Sequence, residues 1–158
     1  MQRLFSLLVA LFVTAACATA PVIAHDRSGA RTTLDDLKGH AVILTFWAEW
    51  CDPCLQQMPV LMSAAAAHGD QVLFLPVYLQ ERPGHGLDQW LASQPDWFRD
   101  QICWANQDFL NNYDRTALPR TYVLGRNGHQ VEQFNGKVDA ERGRLLEASL
   151  LRALAATR

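Results

Sequence analysis

The sequence lacks the features that mark several common classes of protein. It has no surplus of positive charge, since 14 Lys and Arg residues stand against 16 Asp and Glu residues and the net charge is −2. Because nucleic-acid-binding proteins usually carry a basic face, we expect no nucleic-acid partner. A repeat period, a low-complexity tract and a long block of like charge are also missing. What remains is a globular composition, 49% hydrophobic, in a chain of 158 residues that can form one domain with a core.

Ligands for a structural metal are scarce as well. There is a single Cys-x-x-Cys pair, whereas a structural zinc site needs four ligands, often two such pairs or one pair with two histidines. The histidines are scattered and never stand at the spacing H-x₃₋₅-H. They are His25, His40, His68, His85 and His129. We therefore predict no metal site and no cofactor.

A copper site is the metal-binding alternative that the sequence keeps open. Cys54, Met58 and Met62 are spaced i, i+4 and i+8, so on a helix they would lie along one face. Soft sulfur ligands suit Cu(I), but methionines on a helix face more often fill a core. Core packing is the favoured interpretation, and a Cu(I)-binding module is an alternative function.

The cysteines do not form the framework of a disulfide-braced domain. Such a domain has an even set at wide spacings, whereas here Cys51 and Cys54 form a close pair and Cys103 is an odd thiol. The fourth cysteine, Cys17, lies in the N-terminal segment. A bridge between Cys51 and Cys54 would close a tiny loop and remove little entropy from the unfolded chain. Bracing therefore explains the close pair poorly.

The first 24 residues have the layout of an export signal. Arg3 precedes an apolar block from Leu4 to Val13, small residues follow, and the first acidic residue is Asp26. With the residues up to 24 included, the block reaches roughly the 20 residues that a membrane-spanning helix needs, so an uncleaved anchor stays open. We assign residues 1–24 to a signal peptide or a membrane or lipid anchor. Residues 25–158 form the expected domain, exported to a bacterial periplasm.

Three processing routes fit this segment. Small residues stand before His25 in "VIA" and before Thr19 in "ACA", where a signal peptidase would act. The stretch "TAAC" resembles a bacterial lipobox and makes Cys17 a lipidation candidate, although Thr14 stands where the usual leucine would be. The alternative is that Cys17 is discarded with the signal.

Hydrophobic patterns predict an α/β order of elements. The apolar runs at residues 41–47 and 71–79 indicate strands buried on both faces. A helix follows the first run from Pro53 to near Gly69, and Pro59 should kink it. Asn127-Gly128 indicates a hairpin between two later strands, ahead of a C-terminal helix. This order predicts a mixed sheet with helices on both faces, and it places the cysteine pair just after a strand.

Weaker patterns predict a helical turn ended by Gly39, a helix broken at Pro95 and a short strand at residues 100–105.

The same residues resemble a known family. "FWAEWCDPC" looks like the active-site stretch of thioredoxin-fold oxidoreductases, and Pro59 matches the kinking proline of their active-site helix. "ALPRTYVL" resembles the loop that presents their cis-proline, which would be Pro119. The lead-in "TTLDDLKGHAVILTFWAEWC" is similar to the TlpA/ResA-like branch, exported thioredoxins that usually reduce disulfides. The resemblance covers roughly residues 30–155 and implies a thioredoxin-like fold.

The resemblance implies a thiol-disulfide oxidoreductase with Cys51 and Cys54 as catalytic residues and as the redox-active disulfide. Cys51 would attack, since it precedes a helix whose N-terminus favours its thiolate, and Cys54 would resolve the mixed disulfide. Glu49 and Asp52 place negative charge near this thiolate, and Pro53 removes a backbone donor from the loop. A less stabilised thiolate makes a stronger reductant, so we expect a reducing protein. For Glu49, the alternative is an ordinary solvated loop acid.

Four further positions are expected to support the site or the core. Leu118 would offer backbone groups to an extended client strand beside Pro119. Trp50 would contribute an apolar docking surface, whereas Trp47 is expected to be core. Cys103 is expected to be a buried strand thiol, with a second redox or regulatory thiol as the alternative.

Departures from the family pattern bear on function. Thr45 stands where cytoplasmic thioredoxins carry a buried aspartate, so that proton relay is absent. The cytochrome c maturation subgroup usually has a glutamate beside its cis-proline, whereas "LPRT" has Arg120 and no glutamate. Cys103 has no counterpart in the general pattern. His85, in the loop "ERPGHG", is expected to lie in a solvent loop, with a client-facing position as the alternative.

The expected partners follow from this chemistry. They are exported proteins that contain disulfides and a membrane thiol-electron donor, with membrane contact only through the N-terminus. We expect a monomer. A reductant dedicated to one client in cytochrome c or cytochrome oxidase maturation is a further alternative function.

Overall fold

One mixed sheet forms the centre of the fold in a computed structural model that describes residues 22–79 and 86–156, apart from the side chain of Trp97. The strands of the described chain are β1 (Val22–Asp26), β2 (Arg31–Thr33), β3 (Ala41–Trp47), β4 (Val72–Tyr78), β5 (Cys103–Ala105), β6 (Arg120–Leu124) and β7 (Gln130–Asn135). Its α-helices are α1 (Leu34–Leu37), α2 (Asp52–Ala67), α3 (Leu87–Ala92), α4 (Asp96–Arg99), α5 (Gln107–Leu110) and α6 (Ala140–Ala155), and a 3-10 helix spans Gly69–Gln71.

Strand β3 lies inside the sheet, whose strand order is β2-β1-β5-β4-β3-β6-β7. It pairs in parallel with β4 and antiparallel with β6. Every residue of β3 is buried, as its unbroken apolar run predicts for a strand covered on both faces. The prediction of a mixed sheet is confirmed.

Helices cover both faces of this sheet. Because successive side chains of a strand point to opposite faces, β3 contributes to two separate cores. Val42 and Leu44 pack in the core that includes Phe109 of α5. Ile43 packs in the other core, which includes Leu146 of α6. The arrangement is the predicted α/β, thioredoxin-like fold.

The predicted turns and breaks lie where the sequence places them. Gly128 has a φ of 79° and donates its N–H to the Gly125 carbonyl at 2.8 Å, which closes the hairpin between β6 and β7. Helices α3 and α4 are separate, with Pro95 as the N-cap of α4. Helix α2 runs without interruption through Pro59, and it begins one residue earlier than predicted, at Asp52.

Strands β1 and β2 were not predicted. Strand β1 pairs antiparallel with β2 on one side and with β5 on the other. It begins at Val22, inside the segment expected to be signal or anchor. Its first residues continue the apolar character of the N-terminus, so the sequence pattern did not separate them from that segment. The expected boundary between residues 24 and 25 therefore falls within a strand of the sheet.

The membrane prediction concerns residues that the structure does not describe. Among residues 22–79 and 86–156, no helix is both long enough and apolar enough to cross a membrane. Cys17 and the rest of the N-terminal block lie outside the described residues, as does His85.

Candidate active site

The Cys51–Cys54 pair lies at the edge of the sheet where β3 ends. Strand β3 ends at Trp47, and helix α2 begins at Asp52 with Cys51 as its N-cap. The two cysteines form a disulfide with an S–S distance of 2.04 Å and a Cα–Cα distance of 5.2 Å. The strand thus delivers both sulfurs to the start of the helix.

The two sulfur-bearing residues differ in access and in hydrogen bonding. Cys51 is 5% exposed, whereas Cys54 is fully buried. The backbone N–H of Cys54 donates to Cys51 Sγ at 3.3 Å. Since the first N–H groups of a helix lack partners within the helix, they favour negative charge on the sulfur at its N-cap. Cys51 is therefore both the more accessible sulfur and the one whose thiolate the helix stabilises.

Leu118 and Pro119, in the loop before β6, are joined by a cis peptide bond. Leu118 is partly buried and packs against the hydrophobic cluster that contains Cys51 and Cys54. Pro119 is buried, and its carbonyl accepts the N–H of Gly136 at 3.1 Å. The structure thus brings together two segments that lie more than sixty residues apart in the sequence.

Arg120 anchors the loop that leads into Leu118. Its guanidinium is buried and pairs with the carboxylate of Asp114 at 2.9 Å. The Tyr122 hydroxyl donates to the Asp114 carbonyl at 3.0 Å. Hydrogen bonds from the backbone and side chain of Thr116, with a smaller effect of the Arg120 charge, lower the pKa of Asp114. Arg120 therefore holds the loop in place from the side of the sheet that bears Phe46.

Glu49 is held at the rim of the site by a tyrosine. The Tyr78 hydroxyl donates to Glu49 Oε2 at 2.6 Å. Burial, followed by the effect of Glu49, raises the pKa of Tyr78, so its hydroxyl stays protonated and can donate. Glu49 is only half-buried, yet its Oε1 is inaccessible and has no hydrogen-bond partner among the described residues. A freely solvated loop acid, the alternative from the sequence, does not describe this carboxylate.

Asp52 and Pro53 occupy the exposed first turn of α2. Asp52 is the acidic residue of that turn and follows Cys51 directly. Its charge lies in solvent, where screening weakens its effect on a neighbouring sulfur. The rim thus carries one held acid, Glu49, and one exposed acid, Asp52.

The two tryptophans before the cysteines have different environments. Trp47 is fully buried, as predicted, and its ring centroid lies 5.1 Å from that of Trp90 and 5.3 Å from that of Tyr78. Trp50 is 40% exposed and stands next to Cys51 in the chain. Trp47 is therefore core, and Trp50 is accessible for contact with another molecule.

A neutral polar cluster lies at the base of the site, on the buried face of α2, one helical turn after Cys54. We call it the Gln57 cluster, and it comprises the fully buried side chains of Gln57, Thr45 and Thr121. Gln57 Nε2 donates to Thr45 Oγ1 at 3.1 Å and to Thr121 Oγ1 at 3.4 Å, and the two hydroxyls lie 2.9 Å apart. Gln57 Oε1 accepts the N–H of Val138 at 3.1 Å. None of these side chains carries a charge, so the cluster offers no buried carboxylate for a proton.

Sequence reasoning identified Thr45 in this cluster but missed Gln57. The available signal was spacing, since Gln57 stands three residues after Cys54 and therefore on the same face of the helix. A polar residue in a buried stripe indicates a partner elsewhere in the fold. Its partners Thr121 and Val138 are 64 and 81 residues away, which spacing within the helix does not show.

The remaining sulfurs are buried among apolar side chains. Met58 and Met62 pack in the cluster around the disulfide, which supports the core interpretation. Cys103 is a buried thiol in β5, as predicted. Burial, with a smaller effect of Asp26, raises the pKa of Cys103 to about 12. Within the described ranges, no three His, Cys, Asp or Glu residues come together in a way that could hold a metal ion.

Comparison with known proteins gives the family. The family model described as Redoxin matches residues 15–151. The thiol-disulfide oxidoreductase ResA of Bacillus subtilis is 25% identical over 114 residues, which cover 72% of this chain and 63% of the relative. The thioredoxin-like protein YneN of the same organism is 40% identical over 102 residues, covering 64% and 59% of the two chains. The chain therefore spans less than two thirds of the length of these two relatives.

Solved structures agree with this result. A Chlorobium tepidum protein named as a thiol:disulfide interchange protein DsbE superposes with a TM-score of 0.69 at 27% identity, covering 85% of this chain and 94% of that one. The fold and the W-C-x-x-C disulfide define a thioredoxin-fold protein. The chain belongs to the Redoxin family, within which it is TlpA/ResA-like.

Proposed function

We propose that this chain is an exported thiol-disulfide oxidoreductase that reduces the disulfides of periplasmic client proteins. The observation that supports this best is the unequal access of the two sulfurs at the start of α2. Cys51, the N-cap of the helix, keeps 5% of its surface exposed, whereas Cys54, one turn inside, is fully buried. Dithiol exchange needs one sulfur that a client can reach and a second that reaches only the first.

The exchange proceeds in two balanced steps. The Cys51 thiolate attacks one sulfur of a client disulfide, and the other client sulfur leaves as a thiolate that takes up a proton. Cys54 then loses its proton and attacks Cys51 Sγ, which releases the second client sulfur as a thiolate. Two electrons pass to the client, whose disulfide becomes two thiols, and the Cys51–Cys54 disulfide forms.

The rim charges favour electron flow towards the client. Glu49, held by Tyr78, places a carboxylate two residues from Cys51, and Asp52 adds a second one. Negative charge near a thiolate disfavours it, which destabilises the reduced protein and makes it a stronger reductant. Trp50, which is 40% exposed, and the partly buried Leu118 would offer apolar surface and backbone groups to an extended client segment.

The N-terminal sequence supplies the expected location. Residues 1–24 have the layout of an export signal or anchor, and Cys17 is a candidate for lipidation. An exported reductant needs electrons from across the membrane, so its donor would be a membrane protein with a dithiol. We propose that the domain itself acts as a monomer.

The equilibrium reduction potential of the Cys51–Cys54 pair is the first test. It is measured in the domain from Val22 onwards, against glutathione and dithiothreitol buffers. A value near or below about −220 mV supports a reductant, and a value near about −120 mV would show an oxidant instead. If no disulfide formed and Cu(I) bound at two thiolates, a copper-binding module would replace the proposal.

Two single variants test the roles of the sulfurs. Cys54→Ser should accumulate a mixed disulfide between Cys51 and a disulfide-containing peptide, because the resolving thiol is gone. Cys51→Ser should form no such adduct, because Cys54 is fully buried. An adduct at Cys54 in the second variant would reverse the assigned roles.

A further inference from the structure

Strand β1 limits where an exported form of this chain can begin. Ile23 is 4% exposed and Ala24 is 1% exposed, and both belong to the core that includes Leu44 of β3. The N–H of Asn106 donates to the Ile23 carbonyl at 2.8 Å, and the Asn106 side-chain amide donates to the Val22 carbonyl. Cleavage before His25 would remove these contacts and leave Ala105 of β5 without its strand partner Ala24.

The remaining two routes leave β1 whole. Cleavage before Thr19 and lipidation at Cys17 both act upstream of Val22, as does an uncleaved anchor. The burial of Ile23 and Ala24 therefore separates the processing routes that the sequence alone leaves equal. The domain needs its N-terminus at or before Val22.

The direction of β1 places its start at the same edge of the sheet as the disulfide. Strand β1 is antiparallel to β5, whereas β5, β4 and β3 are parallel to one another. Ala24 pairs with Ala105 at the end of β5, so Val22 lies beyond the end of that strand. Strand β3 ends at this same edge, four residues before Cys51. We call it the redox edge.

The segment between Cys17 and β1 is short compared with the distance across the sheet. Three strand spacings separate β1 from β3, which is about 14 Å. The five residues from Cys17 to residue 21 can span at most about 18 Å. The opposite edge of the sheet lies about 23 Å further away, since β3 is seven residues long. For a chain attached to a membrane at Cys17 or just after it, the tether is shorter than the distance between the two edges, which favours an orientation with the redox edge nearest to that membrane.

We propose that the exported chain keeps β1 and that its N-terminal attachment holds the redox edge towards the membrane, facing a membrane-bound dithiol. The donor thiolate would attack Cys51 Sγ, Cys54 would leave as a thiolate and take up a proton, and the second donor thiol would release Cys51. The donor is oxidised to a disulfide as two electrons reach the pair. This inference rests on the proposed function and adds the orientation of its site.

Energy transfer from two labelling positions to a lipid dye tests the orientation. The full chain is produced in an exporting bacterium with Cys51→Ser and Cys54→Ser, and membrane vesicles receive an acceptor lipid. A donor dye is attached through Asp108→Cys, on α5 next to the redox edge, or through Asp70→Cys, just before β4 at the opposite edge. Both native residues are exposed. The double serine variant without an added cysteine measures background labelling at Cys17 and Cys103.

The expected result is at least about threefold stronger transfer from position 108 than from position 70, given the ~23 Å between the edges. A matched control carries twenty Gly and Ser residues inserted between Ala20 and Pro21. Such a linker has a root-mean-square length of about 25 Å, so the difference between the two positions should largely disappear.

Several results would overturn the inference. Equal transfer from both positions without the insert, or stronger transfer from position 70, contradicts the orientation. A mature chain whose mass shows His25 as its first residue contradicts the retention of β1, and full release from the membrane contradicts the attachment. The disulfide-exchange activity of the natural chain is measured separately in solution with a disulfide peptide. A failure of the proposed orientation therefore remains distinct from a failure of the proposed function.

Discussion

The rim and the base of the active site differ in charge. At the rim, Glu49 and Asp52 flank Cys51, and Tyr78 holds Glu49 in place. At the base, the Gln57 cluster is fully buried, fully hydrogen-bonded and neutral. The two rim charges belong to a half-buried and an exposed residue, whereas the Gln57 cluster avoids the desolvation cost of an ion. We therefore expect changes at the rim to act on the redox potential, and changes at the base to act on stability, because Gln57 bonds the active-site helix to β3 and β6.

The largest expected effect is the loss of stability caused by a charge at the base of the site. In Gln57→Glu, burial would raise the pKa of the new carboxyl above its unfolded value of about 4.3. The folded chain then favours the protonated carboxyl. The free energy of unfolding of the variant should therefore be nearest to that of the natural chain below pH 4. This free energy should fall as the pH rises from the unfolded pKa through the folded pKa, by about 1.4 kcal/mol in total for each unit by which the fold raises the pKa. Urea unfolding at several pH values between 4 and 8 measures this.

Gln56→Glu is the matched control for this variant. Gln56 is the exposed neighbour of Gln57 and accepts a hydrogen bond from Lys137 at 3.0 Å. A carboxylate there remains in solvent beside a lysine, so its stability should follow that of the natural chain across the same pH range. Equal pH dependence in both variants would mean that the base of the site tolerates charge as well as the surface does.

A smaller effect is expected from removing the held charge at the rim. Glu49→Gln should stabilise the Cys51 thiolate and shift the reduction potential towards less negative values, by about 30 mV for each 1.4 kcal/mol of stabilisation. Equilibration with glutathione measures the shift. The control is Tyr78→Phe, which keeps the carboxylate but removes its 2.6 Å hydrogen bond, and whose potential should not become less negative. An unchanged potential in Glu49→Gln would show that solvent screens this charge.

The local parts of the site could be predicted from the sequence. The apolar run of β3 and the proline after Asp52 define a strand followed by a helix start, so the positions of Cys51 and Cys54 follow from neighbouring residues. The difference in burial between Trp47 and Trp50 also follows, since they lie on opposite sides of the strand's end.

The parts that depend on distant residues could not be predicted. Gln57 meets Val138 across 81 residues, and only the folded sheet brings them together. Strand β1 is short, and its apolar start is indistinguishable from the preceding leader until β5 provides its partner. The hydrogen bond from Tyr78 to Glu49 needs the register of β3 against β4, which aligns Trp47 with Tyr78.

Asp52→Asn should have a smaller effect than Glu49→Gln. Asp52 is exposed in the first turn of α2, where water and salt weaken its effect on Cys51. We expect a shift of about 10 mV towards less negative potentials at low salt, and less at high salt. Measurement of the potential at two ionic strengths checks this. A shift larger than that of Glu49→Gln would make the exposed acid the dominant charge of the rim.

Cys103 should have the smallest effect, because its thiol belongs to neither the rim nor the base. Burial raises its pKa to about 12, so at pH 8 about one molecule in ten thousand carries the reactive thiolate. Alkylation of Cys103 in the oxidised, folded protein should be roughly a thousandfold slower than in urea, where its pKa is about 8.5. Cys103→Ala should leave the reduction potential of the Cys51–Cys54 pair unchanged.

The pKa of Cys103 is higher in the folded chain than in the unfolded chain, so the thiol ionises first in the unfolded chain. Above about pH 9 the free energy of unfolding of the natural chain should therefore fall relative to that of Cys103→Ala. Rapid alkylation at neutral pH, or a shifted potential in Cys103→Ala, would instead make Cys103 a second redox thiol.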